Sequence, residues 1–137
     1  MDEIVTHLRS LIDSERFLSK LNQDSLDDLF DSRDSDPFES EWLRVNEVVE
    51  QSQLESNDAV DALRESAFKR AFAITKSPDA CGYISEDFGL IADAVRAGVA
   101  DPWLTSLTAS YVSGELPHSK LAGDQRSLSE IISQMDP

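Results

Sequence analysis

Residues 36–50 read DPFESEWLRVNEVVE. Phe38, Trp42, Val45 and Val49 recur at i, i+4, i+7 and i+11, which gathers four apolar side chains onto one narrow arc of an α-helix. Glu39, Glu47 and Glu50 fall away from that arc. The segment also marks its own start: Asp36 is placed to cap free backbone N–H groups, and Pro37 to take the first helical position, where no donor is lost.

The same period continues on both sides of this helix, and no run alternates apolar with polar residues as a half-buried strand would. Towards the N-terminus, Ile4, Leu8, Leu11, Ile12 and Leu18 form one stripe, predicting a helix from about Asp2 to Leu21 with a bend near Asp13–Ser14. Leu26, Leu29 and Phe30 give a short helical turn over Ser25–Phe30. Towards the C-terminus, a loop at residues 52–56 leads to a helix capped by Asn57 or Asp58 and running through Val60, Leu63, Ala67, Ala71 and Ile74. Phe68 and Phe72 widen its apolar arc beyond half the circumference, interrupted by Arg64, which predicts a central helix packed on two sides.

Lys76-Ser77-Pro78-Asp79 ends that helix, and the chain to Tyr83 reads as a loop. Ser85 then caps a helix whose Glu86 and Asp87 suit the positive end of its dipole, whose buried face is Phe88, Ile91, Ala92 and Val95, and which Gly98 stops in a left-handed conformation. Asp101–Pro102 repeats the cap-plus-proline start, launching Trp103, Leu104, Leu107 and Tyr111 until Gly114 and Pro117 end the helix. These two helices are expected to form a tight antiparallel hairpin over about 85–113. A last helix, about Asp124 to Gln134, carries Leu128, Ile131 and Ile132. The fold expected is all-α: one compact bundle of about five to seven helices forming a single domain over 1–137. An apolar fraction of 40% closes such a core without metal or disulfide staples.

Charge is the extreme feature. Twenty-seven acids against 12 bases give a formal charge of −15. Direct binding of nucleic acid or of an anionic membrane is therefore disfavoured, since both require clustered Lys and Arg, and here the bases stand singly except for Lys69–Arg70. No run reaches the roughly 18–20 apolar residues needed to cross a bilayer, and the N-terminus opens on acids instead of a basic signal-peptide head, so a cytoplasmic protein is expected. The lone Cys81 can form no intramolecular disulfide.

The acids are unevenly placed. Residues 1–66 hold 18 acids and 6 bases, a net of −12, and residues 67–137 hold 9 and 6, a net of −3. The densest stretch, 24–41, sets Asp24, Asp27, Asp28, Asp31, Asp34, Asp36, Glu39 and Glu41 against a lone Arg33. A calcium loop would need acids at alternating positions, a turn glycine and a bidentate glutamate twelfth in the loop; here only Asp34-x-Asp36 alternates, no glycine occurs before Gly82, and Pro37 starts a helix instead.

Other chemistry is no better supported. Glu115-Leu116-Pro117-His118 spells the Glu-x-x-His of di-iron bundles, but Gly114 and Pro117 break the continuous helix such a site needs. His7 lies one turn after Glu3, a pairing suited to a surface hydrogen bond. Cys81 has no base brought to it, and no glycine-rich phosphate loop occurs. No catalytic residue, metal ligand or cofactor is expected. Trp42 and Trp103 read as core residues, and as interface anchors if exposed.

The expectation is a non-enzymatic acidic helical module that inhibits or sequesters a basic protein. Asp24, Asp27, Asp28, Asp31, Asp34, Glu39 and Glu41 would make the charged contacts, with Phe30 or Phe38 as apolar anchors. Fold class and charge together suit immunity proteins that neutralise toxins, often basic nucleases, an analogy of class alone. The alternatives are a DNA mimic that fills a DNA-binding site, and a small-ligand protein or carboxylate-based enzyme using Glu86 and Asp87 beside Cys81–Gly82.

Overall fold

Two long helices, α4 (Asp58–Thr75) and α5 (Pro78–Ala97), form the spine of the molecule in the computed structural model, which describes residues 2–133. The Asn57 side chain caps α4 by accepting from the N–H groups of Ala59 and Val60 at 2.9 and 3.1 Å. Lys76, in a left-handed conformation, ends it. Ser77 then caps α5 by accepting from Ala80 N–H, with Pro78 at its first position. Ala67 and Ala71 on α4 and Ala80, Cys81 and Ala92 on α5 are small and fully buried, and the two helices approach closely. The Ser85 hydroxyl ties them by donating to the Arg64 carbonyl at 3.1 Å.

Two expectations change here. The loop predicted up to Tyr83 is helix, because Ser77–Pro78 is the same cap-plus-proline start that was recognised at Asp101–Pro102; Cys81 is thus a buried helical residue. The close antiparallel hairpin is α4 with α5, not the pair over 85–113. Helix α6 (Pro102–Val112) meets α5 through large side chains, the Phe88 and Tyr111 ring centroids lying 4.9 Å apart.

Helix α1 (Asp2–Asp13) buries Val5, Leu8, Leu11 and Ile12 against the spine. It stops well before Leu21. Residues 14–20 make turns, with Leu18 at a φ of 55°, and so deliver Phe17 and Leu18 into the core. Arg70 of α4 donates to the Ile12 carbonyl at 3.1 Å, satisfying one of the acceptors left at the end of α1. Gly114, at a φ of 89°, lies against this turn; an added Cβ would come within 3.0 Å of the Arg16 carbonyl oxygen.

Helix α4 packs against both α5 and α1, but not through its second apolar strip. Val60, Leu63, Ala67 and Ala71 are buried, whereas Phe68 and Phe72 remain 41% and 43% exposed, because α1 and α5 take up the face lined by the small residues. The terminal helix α7 (Leu128–Ser133) is shorter than predicted, with the Ser127 hydroxyl accepting from Glu130 N–H; Gln134 lies outside the described residues.

A 3-10 turn (Gln23–Ser25) leads into α2 (Leu26–Arg33), and α3 (Phe38–Glu50) follows. Asp36 does not cap α3. Beyond a cis Asp36–Pro37 peptide bond, the first N–H groups are met by backbone carbonyls instead, Glu39 N–H by Ser35 and Glu41 N–H by Pro37, each at 3.1 Å, and the Asp36 carboxylate accepts from the Ser40 hydroxyl. The arc read from residues 36–50 holds: Phe38, Val45 and Val49 are buried and Trp42 is half-buried. Among the described residues there is no strand, and seven α-helices form the bundle.

Candidate acidic docking surface

Helix α2, sequence LDDLFDSR, carries little that can anchor it. Leu26, Leu29 and Phe30 are half-buried, Asp27, Asp28 and Asp31 are exposed, and Arg33 is its one buried residue. Asp27 and Asp28 occupy the first turn, where the helix dipole favours negative charge. Asp24, Asp34 and Glu39 are exposed as well. Among the described residues no Lys or Arg bridges any of these six carboxylates. Glu41 differs: Arg44 holds it at 3.0 Å while also reaching Asp101 at 2.7 Å.

Arg33 points inward from this acidic rim. Its guanidinium donates to Asp87 Oδ1 and to the Pro117 carbonyl, each at 2.9 Å, and stacks 4.5 and 4.8 Å from the ring centroids of Phe38 and Tyr83. Asp87, fully buried, also accepts from the Trp42 indole N–H at 2.9 Å and the Tyr111 hydroxyl at 2.5 Å. Burial disfavours the charged guanidinium, but Asp87 outweighs it and keeps Arg33 ionised. The Tyr111 hydroxyl is held far above the ordinary tyrosine range, first by burial and then by the Asp87 charge.

In sequence alone Arg33 stands as a lone base among acids and Asp87 as a partner of the helix dipole. A signal was available: Leu26, Leu29, Phe30 and Arg33 share the i, i+3, i+4, i+7 stripe, so the arginine continues the inward face.

Next to this network a cleft of about 170 Å³ is bordered by exposed Asp34, Glu39, Glu86 and Leu43 and by half-buried Trp42 and Tyr83. Tyr83 donates to Asp34 Oδ1 at 2.6 Å; burial, then that hydrogen bond, pushes its hydroxyl up to about 12. The two predicted anchors fare differently. Phe30 is half-buried against Tyr83, with centroids 5.3 Å apart, whereas Phe38 is 2% exposed and packs edge-on to Trp103, so it is a core residue and not a surface anchor. Leu43, 55% exposed, is the large apolar side chain presented beside the acids.

Glu86 and Asp87 do not act as a pair, since adjacent helical positions send one outward and the other into the core. Burial raises the Cys81 thiol away from the reactive thiolate. His7 Nδ1 lies 2.8 Å from the Glu3 carbonyl oxygen, and Glu115 and His118 fall beyond α6, on no common helical face. Among the described residues no group of three or more His, Cys, Asp or Glu could hold a metal ion, and no helix is long and apolar enough to cross a membrane.

No curated protein matches the chain. A family model described as Immunity protein PIM1 matches residues 7–118, a span that reaches from α1 through Pro117 and includes the acidic stretch and every residue of the Arg33–Asp87 network.

Proposed function

Because the chain belongs to the Immunity protein PIM1 family, we propose that it binds a toxin partner through the acidic surface of residues 24–41 and holds that partner inactive without catalysis of its own. Six exposed carboxylates that no Lys or Arg bridges among the described residues carry the reading. Crowding them costs stability through self-repulsion, and a surface that meets complementary charge gives that cost a use, because such charge speeds encounter and rejects wrong partners. The partner is accordingly basic where it docks. A nuclease toxin fits, since an enzyme that grips a phosphate backbone carries lysines and arginines at its site.

Asp24, Asp27, Asp28, Asp31, Asp34 and Glu39 make the charged contacts, with Glu86 extending the set across the cleft. Leu43 and the exposed edge of Phe30 supply apolar area. Glu41, already bridged by Arg44, stands at the margin of the surface.

Affinity capture with the intact protein at low salt, eluted by a salt gradient, tests this. A basic protein should be recovered, and changing Asp27, Asp28, Asp31 and Asp34 to Asn should slow its association at least about tenfold at low ionic strength. An association rate unchanged by those four substitutions would move the docking surface elsewhere.

A further inference from the structure

We infer that Arg33 is the positioning residue of the acidic docking surface: its buried guanidinium, gripping Asp87 and the Pro117 carbonyl between the rings of Phe38 and Tyr83, holds α2 and its aspartates against the bundle. The inference rests on residues 24–41 being the surface that docks.

An eight-residue helix is too short to persist alone in water, and crowded carboxylates drive this one outward. Tertiary contacts must retain it. Its half-buried Leu26, Leu29 and Phe30 leave Arg33, 4% exposed, as the one buried residue of the helix, bonded to the core through both Nη groups while its Nε has no hydrogen-bond partner. That one side chain reaches three other segments: α5 at Asp87, α3 at Phe38, and the chain beyond α6 at Pro117. Asp87 is itself fixed from α3 by Trp42 and from α6 by Tyr111, so the anchor point does not follow α2 when the helix moves. The remaining polar ties of this region are exposed ones, Ser32 to Ser119 and Tyr83 to Asp34. Lysine would keep the charge but not the planar fork that meets Asp87 and the Pro117 carbonyl together while lying between two rings.

The opposing reading is an ion pair that stabilises the whole bundle evenly. Hydrogen exchange on the intact protein separates the two without any partner. In R33K, amides of residues 27–34 should exchange at least about tenfold faster while those of 58–97 change less than about twofold, and S119A should leave both unaltered within about twofold. Equal acceleration of both segments, or none in α2, overturns the inference. Should R33K not fold, the wild-type protein decides: the protection of the Arg33 Nη–H protons that donate to Asp87 and Pro117 should match that of the α2 amides. Protection of these protons equal to the α5 core, with α2 opening faster, would show that α2 lifts while Arg33 stays, and would overturn it too.

With a captured partner, R33K should raise the dissociation rate about tenfold or more and leave association nearly unchanged, because the net charge is kept. Faster α2 exchange with unaltered dissociation would sustain the anchor and place the docking surface elsewhere.

Discussion

At the level of single residues, the buried Asp87 carboxylate takes donors from Arg33, Trp42 and Tyr111. Asp87→Asn removes the charge but not the volume and leaves Arg33 buried without its counter-ion. The expected loss is about 3–5 kcal/mol in urea denaturation, as for other broken buried pairs. The tyrosines give an optical check. Neither should ionise near pH 10, the ordinary tyrosine range. Tyr83 should titrate at about 12 and Tyr111 only on unfolding, and tyrosinate absorbance compared with that of Tyr83→Phe distinguishes them. The neutral Tyr83 hydroxyl is the form the fold favours, so its contribution to stability is complete below about pH 10 and is lost as pH rises towards about 12. Composition made the acids plain, but not which base among them turns inward. Formal charge does not separate Arg33 from Arg44, one buried under two rings and the other on the surface; only the stripe it shares with Leu26 and Leu29 does.

Among the helices, most boundaries set by local chemistry were legible; the start of α5 at Ser77–Pro78 carries the same signal, but Lys76-Ser77-Pro78-Asp79 reads as a stop when only the end of α4 is considered. Asn57, Asp101 and Gly98 sit where their chemistry predicts, because each meets a local need that distant packing does not alter. The other errors came where tertiary contacts decide: the turn that ends α1 early brings Phe17 inward, and backbone carbonyls replace Asp36 at the start of α3. Asp101 is the cap to test. It accepts from Trp103 and Leu104 N–H at 2.9 and 3.2 Å and is bridged by Arg44. Asp101→Ala should cost about 1–2 kcal/mol in urea denaturation at neutral pH. Burial raises the Asp101 carboxyl, but Arg44 and the cap N–H groups together bring it below its ordinary value. Its stabilisation is therefore present above about pH 4 and fades as pH falls through the depressed folded value, so the deficit of the variant should narrow in acid.

Across the whole molecule, a charge of −15 should make the free protein and its complex respond oppositely to salt. Added sodium chloride screens the self-repulsion and should raise the melting temperature of the free protein, while it slows association with a basic partner. Replacing Asp27, Asp28, Asp31 and Asp34 by Asn should likewise raise the melting temperature, by a few degrees, and weaken binding. A gain in stability without a loss in binding would leave these aspartates as solvated charge alone. The all-helical class and the acidic N-terminal half were readable before the fold was known. The pairing of α4 with α5 was not, because periodicity shows which face of a helix is apolar and not which neighbour covers it.

Asp87 joins α2, α3, α5 and α6 at one carboxylate, whereas Asp27, Asp28 and Asp31 on the rim are bridged by no Lys or Arg among the described residues. Two sets of residues are therefore under different rules of inheritance. A change at Arg33, Trp42, Asp87 or Tyr111 orphans a buried partner, while Asp27, Asp28 or Asp31 can be replaced without stranding another side chain. A lineage could then re-aim the docking surface we propose at a new antagonist through point substitutions on the rim, with the frame beneath passed down intact.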